Sequence, residues 1–171
     1  MLVFALFLCG SMFGQSIEQG KKFMYYERYK SAKDVFQSIV DKQPNNETAI
    51  YYLGQAFLGL EDVADAKKLY LEKMAANPNS PLILAGVGEI ELMEGKKADA
   101  RNHFETAISL SGGKSIEVLN AVGHANANPD SKNGDANYAI DVLKRATQIK
   151  KFKDPEVLTN LGDAYRKFAD G

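Results

Sequence analysis

Cys9 is the only cysteine in these 171 residues, which excludes a disulfide framework and a metal site built on several thiolates. Histidine is almost as scarce, with His103 and His124 the only two. They fall on different faces of different predicted helices. With no paired cysteine and no serine in a strained turn, neither has a nucleophile to serve. The expectation is therefore no enzyme: no catalytic residues, no metal ligands and no cofactor. An excess of charge of one sign is lacking too, since 21 basic residues face 22 acidic ones and the net charge is −1. That balance argues against nucleic acid or an anionic membrane as the main partner. The one basic concentration, Lys144, Arg145, Lys150, Lys151 and Lys153, ends a predicted helix, where the macrodipole favours cations. The apolar run from Leu2 to Leu8 falls well short of the roughly 20 residues needed to span a bilayer.

Motifs for small ligands occur only as fragments, so no small-molecule substrate is expected. Ser111-Gly-Gly-Lys-Ser115 looks like the tail of a phosphate-binding loop, but Ile108 stands where the leading glycine is required. A predicted helix precedes it, whereas the phosphate cradle needs a strand feeding a loop. Gly86-Val-Gly88 lacks the third glycine of a dinucleotide fingerprint. Asn128, Asp130, Asn133 and Asp135 have the wrong spacing for a calcium loop and lack its closing glutamate. Asn46-Glu-Thr48 is a glycosylation sequon that overlaps a helix start, where Asn and Thr are ordinary caps.

What the chain does have is a core, with 45% hydrophobic residues, and a repeat. Gly20, Gly54 and Gly88 recur at a spacing of 34, as do Ala32, Ala66 and Ala100, and Phe36, Tyr70 and Phe104. Pro44 and Pro78 share the step, and Gly112 takes the third place. A period of this length marks a solenoid, which works as a surface. Each glycine inside a helical pattern costs about 1 kcal/mol against alanine, and close approach of a second helix is what offsets it. The small residue and the ring that follow are spaced i, i+4 on one face of that second helix. Each proline ends it, because the residue before proline disfavours the helical well.

The fourth unit is looser. Gly123 follows Gly88 by 35 residues, and Ala139 follows Gly123 by 16 where earlier units use 12. Four extra residues must loop out within the stretch Asn126 to Asp135. Ala139, Leu143 and Ala146 supply the second helix, and Leu158, Leu161, Gly162, Tyr165 and Phe168 mark a fifth first helix. A terminal capping helix should be polar outside. This one keeps Leu161, Tyr165 and Phe168, so the array is expected either to continue past Gly171 or to cover that side with a partner or a second copy.

These columns resemble the tetratricopeptide repeat. Gly20, Phe23, Tyr29, Ala32, Phe36 and Pro44 fit its first unit; Leu53, Gly54, Phe57, Ala66, Tyr70 and Pro78 fit the second. Leu84, Gly88, Ala100, Phe104 and Ala107 fit the third, where Glu91 replaces an expected aromatic. The resemblance implies a right-handed α-solenoid of antiparallel helix pairs, about four and a half units over 17–171. The units run at about 13–46, 47–80, 81–114 and 115–153, with a partial one at 154–171. It also implies a concave groove for a protein or peptide partner, lined by the first helices. Carried over by position, the groove residues are Lys21, Met24, Tyr25, Tyr51, Gln55, Leu58, Glu89, Met93, Asn120 and His124, flanked by Ile17, Leu82, Ala85 and Asn128. The N-terminal half of this set is apolar and aromatic and the C-terminal half polar, which makes Tyr25 and Tyr51 the expected hot spots. The family's carboxylate-gripping clamp is not reproduced, because its places hold Ile17, Lys21, Tyr52, Leu82 and Gly86.

Residues 1–16 read as a secretory signal segment, with Cys9 and Ser11, or Gly14 and Ser16, offering cleavage sites. No basic residue precedes its apolar run, and Leu8 argues against a lipoprotein reading of Cys9. The expected location is outside a bacterial inner membrane, periplasmic or associated with the outer membrane. The leading functional expectation is a non-enzymatic protein-binding scaffold. The alternatives are a structural or self-associating envelope component and an accessory domain of a longer protein.

Overall fold

The computed structural model describes residues 16–129, 131–149, 151 and 153–170; the apolar run, Cys9, Lys150 and Gly171 lie outside them. Among the described residues there are nine α-helices and no strand: α1 (Ile17–Tyr25), α2 (Tyr29–Lys42), α3 (Glu47–Gly59), α4 (Val63–Ala76), α5 (Pro81–Met93), α6 (Lys97–Leu110), α7 (Ile116–Ala127), α8 (Ala136–Ile149) and α9 (Pro155–Asp170). Odd-numbered helices are the first members of each pair. Their starts follow from capping chemistry. Ser16, Asn46 and Ser115 accept hydrogen bonds from the backbone N–H of Gln19, Ala49 and Val118, and Pro81 opens α5 where its missing N–H costs nothing. Asn46 thus acts as a cap.

Two kinds of turn join the helices. Within the first three pairs a three-residue turn puts Glu27, Glu61 and Gly95 in the left-handed region, with φ of 54°, 62° and 79°. The two residues closing each turn bond back to the preceding helix, as Glu61 N–H does to Leu58 and Asp62 N–H to Phe57. Between pairs, α2 and α4 stop just before Pro44 and Pro78. At the third such turn Gly112 and Gly113 both take positive φ, 65° and 68°. The Ser111–Ser115 segment is therefore an inter-repeat turn.

The glycine columns work as close-approach points. A methyl group on Gly20, Gly54 or Gly88 would overlap the ring of Phe36, Tyr70 or Phe104, and one on Gly123 would overlap Leu143. Those rings are the largest fully buried side chains. Glu91, the departure from the expected aromatic, pairs instead with His103 Nδ1 at 2.7 Å and joins α5 to α6.

The first helices α1, α3, α5 and α7 each pack on their own partner and on the next first helix, so α1, α3, α5, α7 and α9 touch in series. Successive second helices lie farther apart: α6 and α8 meet through long side chains, with Arg101 and Phe104 against the Tyr138 ring. A row of helices that touch on one side and splay on the other must curve, which places the first helices on the concave face.

The long connection of the fourth pair spans Asn128 to Asp135, because Asn126 and Ala127 still belong to α7. It is tied down at several points. Asn126 accepts from Asp135 N–H, Asn133 donates to the Leu92 carbonyl, and Lys167 of α9 donates to the carbonyls of Asn128 and Ser131 at 3.0 and 2.6 Å. Helix α9 buries Val157, Asn160 and Ala164 and leaves Leu158, Tyr165 and Phe168 exposed. Counted from its capping Asp154, Leu158 holds the place of Ile50, Leu84 and Leu119, which the earlier units bury.

Candidate functional site

The residue after each repeat glycine points along the concave face: Lys21, Gln55, Glu89 and His124, on α1, α3, α5 and α7. Contact between successive first helices brings this column together. Gln55 Nε2 donates to Glu89 and, at 3.3 Å, to the Tyr70 hydroxyl, which itself donates to the Tyr51 carbonyl at 2.7 Å. On the far side of Glu89, its Oε1 lies 4.0 Å from His124 Nε2. His124 Nδ1 then meets Asn160 Oδ1 at 3.3 Å, and Asn160 donates to Asn120 at 2.8 Å.

The path closes on Glu156, in the first turn of α9. Its Oε1 accepts from Asn120 Nδ2 at 2.8 Å and from the Tyr52 hydroxyl at 3.1 Å, and its Oε2 pairs with Lys21 Nζ at 3.0 Å. Side chains from α1, α3, α7 and α9 therefore meet at one carboxylate. Tyr52 is positioned by stacking on Phe36 with ring centroids 5.5 Å apart, and Lys21 Nζ lies 5.1 Å from the Tyr52 ring centre.

Burial sets the electrostatics. Glu89 is 5% exposed, and the groups that face it are the Gln55 amide and the His124 ring, neither of them a lysine or an arginine. Burial pushes its carboxyl above the usual range, and the nearby His124 charge and the Gln55 hydrogen bond pull it back in part. Burial opposes charge on Lys21, but the Glu156 carboxylate outweighs that and holds its ammonium above the ordinary value. The Tyr52 hydroxyl is pushed up by burial first and by the Glu156 charge second.

The sequence-derived groove residues divide into two groups. Tyr51, Gln55, Glu89 and Asn120 are buried between neighbouring first helices. Tyr51, an expected hot spot, is 5% exposed, stacked on Tyr70 and edge-on to Tyr52, so it offers no open surface. Leu82 and Ala85 are buried as well. Lys21, Met24, Leu58 and His124 are half-buried, and Tyr25 and Met93 are exposed at 77% and 46%. The expected division into an apolar N-terminal and a polar C-terminal half gives way to a polar path running the length of the array. Position-by-position reasoning missed Tyr52, Glu156 and Asn160 as members of that path. One signal was available for Asn160: it interrupts the inward i, i+4 stripe that includes Ala164 and, with Val157, forms the only buried positions of α9.

Among the described residues no group of three or more His, Cys, Asp or Glu side chains has the arrangement to hold a metal ion. No described helix is long and apolar enough to cross a membrane.

No family model matches the chain, and no curated protein does. Solved structures do. TTC0263, a thermophilic tetratricopeptide-repeat protein of Thermus thermophilus, matches over 89% of this chain and 80% of its own, at 18% identity and a TM-score of 0.56. The APC/C hetero-tetramer Cut9-Hcn1 matches over 92% of this chain and 31% of its own, at 18% identity and a TM-score of 0.57. At that identity the likeness concerns the fold. The chain has the all-α solenoid fold of tetratricopeptide-repeat proteins.

Proposed function

We propose that this protein is a non-enzymatic scaffold that binds a protein partner along its concave face. The observation that carries the reading is the series contact of α1, α3, α5, α7 and α9, which makes one continuous inner surface from five separate helices. Met24, Tyr25, Leu58 and Met93 give that surface accessible apolar and aromatic anchors, and Lys21 and His124 give it polar ones. The fold shared with TTC0263, and with Cut9, which is solved as a hetero-tetramer with Hcn1, supports an interaction role. The test is a photoreactive amino acid placed at Met24 or Met93 on the inner face and at the exposed Lys68 of α4. Adducts with one partner from the inner positions alone are expected; equal adducts from Lys68 would overturn the reading.

A second reading, self-association, is favoured by one observation: Leu158, Tyr165 and Phe168 are exposed on α9. Sedimentation of the wild type against a Leu158→Glu, Phe168→Glu variant decides it, with a mass that falls only in the variant expected. The apolar run from Leu2 to Leu8 supports export. Residues 1–20 fused to a reporter should carry it out of the cytoplasm, and retention would remove that part of the proposal.

A further inference from the structure

Lys21 Nζ, the Tyr52 hydroxyl and Asn120 Nδ2 come from three different helices, α1, α3 and α7, and all direct hydrogens at Glu156. Residues 104 positions apart in sequence meet there in the case of Tyr52. The carboxylate is not sealed in, since the Glu156 side chain is 38% exposed and that of Lys21 29%. A solvent-accessible group held by three converging donors is replaceable by another group of the same chemistry.

We propose that Lys21, Tyr52 and Asn120 form a receptor for one acidic side chain of an extended partner peptide, and that Glu156 fills it in cis until the partner displaces it. The inference rests on the concave-face reading above and adds the chemistry of the ligand. The surrounding charges define that chemistry further. Glu18 and Asp154 act on Lys21, and Glu117 and Asp154 act on Tyr52. One cation among these carboxylates accommodates a single added negative charge and repels a second. The fitting peptide therefore carries an isolated Asp or Glu between neutral residues. One turn along α1, the half-buried Met24 and the exposed Tyr25 offer apolar contact to those neighbours.

Helix α9 competes because it is tethered, so its Glu156 has a high local concentration. Removing that carboxylate should open the receptor without altering its donors. Glu156→Gln keeps the side-chain size but removes the charge that pairs with Lys21, so its hold on the three donors is weakened.

The probe is the blocked hexapeptide acetyl-Asn-Pro-Glu-Val-Leu-Thr-amide, which copies residues 154–159 with Asn in the first place and has no terminal carboxylate. Its binding to the full chain is followed by NMR chemical-shift titration, with circular dichroism confirming unchanged helix content. The Glu156→Gln protein should bind it at least tenfold more tightly than wild type. Adding Lys21→Met should abolish the gain, and a peptide with Gln for Glu, or with two consecutive Glu residues, should bind at least tenfold more weakly. Equal affinity for wild type and Glu156→Gln overturns the proposal, as does no binding to either, or binding indifferent to Lys21→Met. Inner-face adducts from Met24 and Met93 would survive such a result, so failure of the receptor and failure of the concave-face reading are distinguishable.

Discussion

Gly54 and Tyr70 occupy each other's space so closely that no β-carbon fits between them: a methyl group on Gly54 would overlap Cζ and the hydroxyl of the tyrosine. Tyr70 has nowhere to go, because it is fully buried and its hydroxyl is bonded to the Tyr51 carbonyl and to Gln55. Intrinsic propensity favours alanine over glycine in a helix by about 1 kcal/mol. Overpacking of a rigid site costs about 1–3 kcal/mol or more, so the steric term should win. Net of the propensity gain, Gly54→Ala is expected to destabilise the protein by up to about 2 kcal/mol in urea denaturation. A more stable variant would show that the ring can yield.

Tyr25 and Tyr51, the two hot spots expected from the sequence, should behave in opposite ways, because one is exposed and the other buried. Tyr51→Ala removes a buried ring stacked on Tyr70 and should cost about 3–5 kcal/mol. Tyr25→Ala removes a side chain that is 77% exposed and should stay within about 0.5 kcal/mol. Thermal melts of the two variants check this. The contrast decides how binding is probed: a Tyr51 variant confounds affinity with folding, whereas Tyr25→Ala with Met93→Ala reports on the surface.

The glycine, alanine, aromatic and proline columns were legible because each reports a steric demand that one residue type meets locally. They gave the helix pairs and the glycine contacts. The inner polar path was less legible, since Glu89 and Asn120 read as surface residues when each helix is taken singly. Only the side-by-side packing of first helices buries them. Glu156 was invisible for a further reason: its partners Lys21 and Tyr52 lie in the first two units, and their meeting depends on the curvature summed over the array. No local pattern carries that sum.

Glu89 makes stability depend on pH in a defined direction. Its folded pKa is raised above the ordinary glutamate value chiefly by burial, so the folded state holds a proton that the unfolded state releases. That contribution is complete below the unfolded pKa and is lost as pH rises through the folded one. Glu89→Gln keeps an acceptor for Gln55 and removes the charge. The stability of the variant relative to wild type should therefore rise with pH, level off above the folded pKa and be smallest in acid. In a His124→Gln background the rise should move to higher pH, because the charge that favours ionised Glu89 is gone. Urea midpoints measured from about pH 4 to about pH 9 test the sign; a flat difference would mean that folding does not raise the pKa of Glu89.

The turn residues Glu27, Glu61 and Gly95 occupy one structural place, spaced like the repeat itself, and only the third is glycine. A side chain at φ near 60° puts its β-carbon close to the following carbonyl, at a cost of roughly 1–2 kcal/mol that glycine avoids. Part of this is returned through glycine's greater freedom in the unfolded chain. Glu61→Gly should therefore stabilise the protein by about 0.5–1 kcal/mol, and Gly95→Ala should destabilise it by about 1 kcal/mol. Neither change touches the side-chain hydrogen bonds that join the helices, so the two variants isolate the backbone term. Opposite shifts of the urea midpoint are expected; shifts of the same sign would place the effect in side-chain contacts instead.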